Sequence, residues 1–179
     1  MKDLNGTKTQ ANLLAAFAGE SMARNKYTFY ASKDKKEVFD QISGIFAEIS
    51  DNERAHAKIW FSKLHGGIAD TAANLLDAAE GEYAEWADMY KRFAQDAREE
   101  GFTELATLFE KVGDIEQDHE QRFRDLLENL KSGKVFERPE EKIWICRNCG
   151  HIHFGTAAPQ TCPVCNHPQA YFEIKAENY

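Results

Sequence analysis

Two copies of one short pattern, Glu53-x-x-His56 and Glu116-x-x-His119, set a carboxylate and an imidazole three residues apart, which places both on one face of a helix. Glu20 and Glu82 add single carboxylates, and Glu85 follows Glu82 by three residues. One Glu from each of two helices, with Glu-x-x-His from each of two others, is the donor set of a carboxylate-bridged dimetal site inside a helical bundle. A lone Glu-x-x-His is a common accident on a solvated helix face. Here the motif occurs twice, each time on an apolar row that also carries further acids. Ionised carboxylates on a buried row cost several kcal/mol each unless paired, so the pattern calls for a cation.

Counting charge narrows the ion. Four Glu balance two divalent ions, which leaves Glu85 without a counter-charge until the pair is oxidised to two trivalent ions. The fifth carboxylate therefore argues for iron that changes oxidation state over a redox-inert ion. Arg24, on the row Leu13, Phe17, Glu20, Arg24, Tyr27, reads as an ion-pair donor behind the carboxylates or as an edge residue whose head group reaches water. Tyr27 and Tyr90 read either as core packing or as hydrogen-bond partners of ligand carboxylates. Gly81 and Gly113 lie inside expected helices at about 1 kcal/mol each, and close approach of helices near the metals would account for them.

The second constellation is Cys146-x2-Cys149, twelve intervening residues, then Cys162-x2-Cys165. Two such knuckles converge on one tetrahedral site of four thiolates, which takes zinc or iron. Disulfides are the weaker reading without a convincing secretion signal. His151, His153 and His167 lie nearby, but four thiolates already complete the shell. The segment has no basic patch for nucleic acid, while Trp144, Phe154, Tyr171 and Phe172 suit the shielding of a redox centre.

The elements that must position these groups follow from hydrophobic spacing. Rows of apolar residues at three- and four-residue steps predict helices over 8–32, 35–65, 73–100 and 103–131. The second row runs Ile42, Phe46, Ile49, Glu53, His56, Trp60, Leu64, and the fourth Leu105, Phe109, Val112, Glu116, His119, Phe123, Leu126, Leu130. The expected breaks are Ser32-Lys33-Asp34, His65-Gly66-Gly67, Gly101 and Ser132-Gly133. The interval from Glu53 to Glu116 equals that from His56 to His119, and the interval from Glu20 to Glu82 is shorter by a single residue, so a two-helix hairpin is duplicated. Beyond Gly133 the composition changes, with all four Pro and all four Cys on that side. Strands are expected around Ile143-Trp144-Ile145 and over Tyr171–Ile174.

The resulting division is a bundle over residues 1–133, a tether over 134–141 and a small β domain over 142–179, mainly α in all. Of 179 residues, 30 are acidic and 22 basic, for a formal charge of −8. The bases Lys134, Arg138, Lys142, Arg147 and Lys175 balance five acids after residue 133, so the excess belongs to the bundle. That balance argues against nucleic acid or an anionic membrane as partner, and no run is long and apolar enough to span a bilayer. Leu13–Gly19 has the form of a short signal segment, but Asp3 offsets Lys2 and the helical pattern continues beyond it, so secretion is not expected.

With Glu20, Glu53-Arg54-Ala55-His56, Glu82-Tyr83-Ala84-Glu85-Trp86, Glu116-Gln117-Asp118-His119 and the two cysteine knuckles in that order, the sequence resembles the rubrerythrin family over nearly its full length. The resemblance implies a ferritin-like four-helix bundle with a non-haem diiron site, followed by a rubredoxin-like β ribbon with one iron on Cys146, Cys149, Cys162 and Cys165. It also implies a cytoplasmic peroxidase that reduces hydrogen peroxide to water, drawing electrons from NADH through a rubredoxin and its reductase. In similar proteins the residues matching Glu53 and Glu116 bridge both irons, and those matching Glu82 and His119 serve one iron. The match of Glu20 serves the other with that of either His56 or Glu85, while the matches of Tyr27 and Tyr90 lie just behind the ligands. Bound carboxylates or Tyr27 then relay protons. Iron storage with ferroxidase action is the alternative, although it has no need of the cysteine domain; a zinc-ribbon binding module is a third reading.

One departure concerns residues 66–73, a segment shorter than in some members, which leaves open how the hairpins are joined and whether helices are exchanged between subunits. A tether of about ten residues reaches at most about 33 Å, which favours a head-to-tail homodimer, or a higher homo-oligomer, passing electrons between chains.

Overall fold

A computed structural model of the chain describes residues 3–177. It divides into two compact units, with the boundary between Ala69 and Asp70. The first unit is a helical hairpin, α1 (Lys8–Lys36) and α2 (Asp40–His65). Thr7 caps α1 by accepting the Gln10 N–H at 3.1 Å. The hairpin turn falls at 37–39 and not at Ser32-Lys33-Asp34 as expected. No glycine marks it; Val38 itself takes the left-handed φ of 69°, and the Phe39 N–H returns to the Asp34 carbonyl at 3.0 Å. The last turn of α1 gains from an ion pair of Lys33 with Glu37 at 2.6 Å. Small polar groups stitch the seam: Ser43 Oγ donates to the Ala31 carbonyl and Ser50 Oγ to the Arg24 carbonyl, at 2.8 and 2.9 Å.

The second unit begins with α3 (Thr71–Ala84), capped by Asp70, which accepts the Ala73 N–H at 2.9 Å. It passes through a π-helical turn (Glu85–Met89) into α4 (Tyr90–Glu99). Gly101, at a φ of +86°, allows the turn into α5 (Thr103–Lys131). Alanines carry the close packing, with Ala79, Ala94 and Ala106 at most 2% exposed.

The π-turn explains why the two intervals of the duplication differ by a single residue. The extra residue lies between Glu82 and the end of α4, and the turn absorbs it as an i→i+5 bond from the Tyr90 N–H to the Glu85 carbonyl. Nothing in hydrophobic spacing marks such a turn, which is why the expected single helix over 73–100 is interrupted.

The apolar rows are less covered than the sequence suggests. Ile42 and Ile49 on α2, and Leu105, Leu126 and Leu130 on α5, remain 37% to 52% exposed. Two packed helices cover only the seam between them, and the flank of each row beyond it stays open. Gly113 meets the expectation of close approach, since a Cβ there would lie 3.3 Å from Tyr90 Cβ. Gly81 does not: a Cβ there would have no neighbour within 4 Å.

The last part of the second unit is a three-stranded antiparallel sheet in the order β2-β1-β3, from β1 (Glu137–Cys146), β2 (Ile152–Ala157) and β3 (Phe172–Ile174). β1 starts earlier than expected and takes in residues foreseen as tether; its pairing with β2 is irregular between Glu137 and Lys142. β2 has no counterpart in the sequence reading, because His and Gly interrupt its alternation. Trp144, fully buried, anchors the core with Cys146, Ala158, Cys162 and Phe172, and its indole N–H donates to the Gly155 carbonyl at 2.9 Å.

Candidate metal centres

Each helical unit assembles one ligand triad. In the hairpin, Glu20 from α1 meets Glu53 and His56 from α2, with donor atoms all within 4.8 Å of one another. In the second unit, Glu82 from α3 meets Glu116 and His119 from α5 within the same limit. The geometries repeat closely. His56 Nδ1 stands 3.0 Å from Glu53 and 3.9 Å from Glu20; His119 Nδ1 stands 2.7 Å from Glu116 and 3.9 Å from Glu82. A first-row divalent ion with bonds of about 2.1 Å spans donors up to about 4.2 Å apart, so a small closure of either triad seats one.

The four carboxylates are partly buried, and three of them are shifted from the ordinary carboxylate range. Glu20 is pushed up by its hydrogen bond with Glu53 and by burial, while Glu53 is held down by the same contact and by His56. Glu82 is pushed up by burial and by the charges of Glu116 and Glu85. Competition of this kind among carboxylates is relieved by a bound cation.

Glu85 lies outside the triad at the start of the π-turn, yet near enough for its charge to act on Glu82 and Tyr90. Tyr90 titrates above its usual range through burial and the charges of Glu85, Glu116 and Glu82, which sets its phenol beside the carboxylates. Tyr27 instead sits in an aromatic group, 5.9 Å from Phe46 and 6.3 Å from Tyr30 between ring centroids.

One residue escaped the sequence reading. Glu120, 8% exposed, accepts the Trp86 indole N–H at 2.7 Å and is paired with Arg124. Its position four residues after Glu116 was the available signal, a weaker one than the neighbouring His119.

The four thiols meet as expected. Cys146 and Cys165, and Cys149 and Cys162, stand 3.7 Å apart between sulfurs. That is far beyond a disulfide of about 2.05 Å and matches the edge of about 3.8 Å in a tetrahedron with bonds of about 2.3 Å. The knuckles are near copies: the Gly150 N–H bonds the Cys146 carbonyl at 2.8 Å, and the Asn166 N–H bonds the Cys162 carbonyl at 3.0 Å. Gly150 and Asn166 both take left-handed φ, at 77° and 58°. The His167 backbone N–H, with neighbouring thiols, brings Cys165 down to about 6. The His151 backbone N–H favours the thiolate of Cys149 as well, but burial and the other three sulfurs push it up to about 12.

The rubrerythrin family model matches residues 11–127, and the rubrerythrin rubredoxin-like domain model matches residues 144–173. The chain belongs to the rubrerythrin family. Rubrerythrin-1 of Clostridium acetobutylicum is 49% identical over 100% of both chains. Rubrerythrin of Porphyromonas gingivalis is 48% identical over 99% of this chain and 95% of its own, and that of Nitratidesulfovibrio vulgaris is 48% identical over 100% of both. As in the rubrerythrin family, the Glu and His triads fit a diiron centre and the four cysteines a rubredoxin-like iron site. The protein is an oxidoreductase whose rubredoxin-like domain takes electrons from a rubredoxin-type donor. No described helix is long and apolar enough to cross a membrane.

Proposed function

We propose that the protein is a cytoplasmic non-haem diiron peroxidase that reduces hydrogen peroxide to water. The observation that carries this reading is the pairing of two carboxylate–imidazole triads with a tetrathiolate site in one chain. An iron pair held at the triads would supply two-electron reduction of the O–O bond, chemistry that avoids release of a hydroxyl radical. Glu53 and Glu116 would serve as ligands common to both ions, Glu20, Glu82, His56 and His119 would complete the ligand set, and Glu85 would be held in reserve for the oxidised state. Tyr90 keeps its phenolic proton over the working pH range and donates toward the carboxylates around it, while Glu20 and Tyr27 carry protons on the hairpin side. Cys146, Cys149, Cys162 and Cys165 would hold an iron that supplies one-electron transfer, so that reloading the pair would take two steps. The electrons come ultimately from NADH through a rubredoxin and its reductase, and pass between chains of a head-to-tail dimer.

Iron storage with ferroxidase action uses similar triads but gives the thiolate site no task. Steady-state turnover with an NADH-coupled rubredoxin donor separates the two. The proposal expects one NADH consumed per hydrogen peroxide and no uptake of iron beyond the resident ions. Accumulation of many ferric ions per chain, with peroxide turnover near background, would contradict it.

A further inference from the structure

We propose that Trp86 and Glu120 are positioning residues for Glu85: the hydrogen bond between them pins the π-turn and so holds the Glu85 carboxylate beside the second triad. The inference rests on the diiron reading above, because it asks what keeps the fifth carboxylate of that reading in place.

A π-turn is a rare departure from the α-helix, so contacts beyond its own backbone must hold it. Trp86, the second residue of the turn, touches both of its sides. Its ring meets Tyr83, before the turn, edge to face at 5.5 Å between centroids, and carries the Lys91 ammonium, beyond the turn, 5.0 Å from the ring centroid. The indole N–H then crosses to α5 and donates to Glu120 Oε2 at 2.7 Å. Glu120 Oε1 is taken by Arg124 Nε, so both oxygens of this buried carboxylate are committed and the acceptor is fixed in place. A charged acceptor held in this way sets the direction of the indole. Glu85 is the preceding residue on the same backbone, and its orientation is set with that of Trp86.

The duplication supplies an internal control. By the interval from Glu20 to Glu82, Glu85 and Trp86 correspond to Ala23 and Arg24 on α1; by the interval from Glu53 to Glu116, Glu120 and Arg124 correspond to Ala57 and Phe61 on α2. The first hairpin therefore lacks the extra carboxylate, the indole, the buried acceptor and its cation together, and α1 runs from Lys8 to Lys36 without a π-turn. Ala57 is only 7% exposed, so a helical hairpin packs well at this position with no carboxylate. Packing alone thus gives no reason for Glu120. What it adds goes with the turn and with Glu85, whose charge acts on Glu82 and Tyr90 in the resulting arrangement.

The test starts from Trp86→Phe, which removes the N–H, keeps an aromatic ring and changes no charge. Crystal structures of the metal-free full-length chain should show the bond from the Tyr90 N–H to the Glu85 carbonyl lost and the Glu85 carboxylate shifted away from Glu82. Glu120→Ala should do the same, while Glu120→Gln, whose amide oxygen still accepts the indole N–H, should leave Glu85 in its wild-type place. Redox titration of the bundle iron in the loaded full-length chain gives the second readout. Trp86→Phe should weaken the preference for trivalent iron by ~3-fold or more, in the same direction as Glu85→Ala. Combined with Glu85→Ala it should add nothing further, because a positioning residue acts only through the group it places. A less stable Trp86→Phe chain with Glu85 and the π-turn unmoved would assign the bond to stability alone and overturn the proposal, as would additive shifts in the double variant. A wild-type chain that binds no bundle iron would instead refute the diiron reading, and the metal-free structures would still uphold or overturn the pinning of the turn.

Discussion

The indole N–H of Trp86, inside the π-turn, donates to Glu120 Oε2 at 2.7 Å, one residue past His119 of the second triad on α5. This bond ties the turn that starts at Glu85 to the helix that carries Glu116 and His119. Burial works against the Glu120 anion, but the Trp86 N–H and the Arg124 guanidinium outweigh it and hold the carboxyl below its ordinary value. Its contribution to stability is therefore full above the unfolded carboxylate value of about 4.3, and is lost as pH falls through the lower folded value. Trp86→Phe should cost about 2 kcal/mol by removing a hydrogen bond to a charged group. Glu120→Gln should flatten the acid limb of stability against pH. Urea unfolding between pH 3 and pH 7 checks both, and an unchanged acid limb in Glu120→Gln would contradict the assignment.

The ribbon should release protons on metal binding in a number that depends on pH. With Cys165 near 6 and Cys149 near 12, Cys165 is the thiol already ionised at neutral pH. Metal capture displaces thiol protons, so about one more should appear at pH 5, where Cys165 is protonated, than at pH 7.5, with affinity rising as pH rises. Calorimetry in buffers of different ionisation enthalpy counts them. Equal release at both pH values would show that Cys165 has no such role.

Glu85 should matter more to the oxidised than to the reduced pair. Four carboxylates suffice for two divalent ions, and its charge already reaches Glu82 in the folded chain. Glu85→Ala should retain ferrous iron while weakening preference for the trivalent state by ~10-fold or more, a rise of ~59 mV for each one-electron step. Redox titration of the bundle iron reads this directly, and an unchanged potential would remove Glu85 from the redox cycle.

Much of this arrangement was legible in the residues, for reasons that differ by element. The triads were readable because Glu-x-x-His at helical spacing fixes a shared face, and the thiolate site because two knuckles at that separation have one way to converge. The π-turn was readable only as an arithmetic oddity, the slightly shorter interval between Glu20 and Glu82, because a π-bulge keeps the helical backbone and leaves little mark on composition. The first hairpin turn was misplaced for a related reason: Val38 takes a left-handed conformation that sequence rules reserve for glycine or asparagine. The apolar rows gave the right faces but not their coverage, since spacing records which side of a helix is apolar and not how much of it a neighbour covers. Glu120 stayed hidden because a buried acid is recognised by its partners, and Trp86 is 34 residues away.

The central claim is a division of labour, with the triads breaking the O–O bond and the thiolate iron reloading them. Rapid mixing of chemically prereduced Cys162→Ser protein with hydrogen peroxide under anaerobic conditions tests it most directly. The account predicts a single turnover at the wild-type rate, consuming one peroxide per diiron pair, together with loss of steady-state activity. A single turnover slowed in proportion to the steady-state loss would place the thiolate iron in the bond-breaking step and contradict the account.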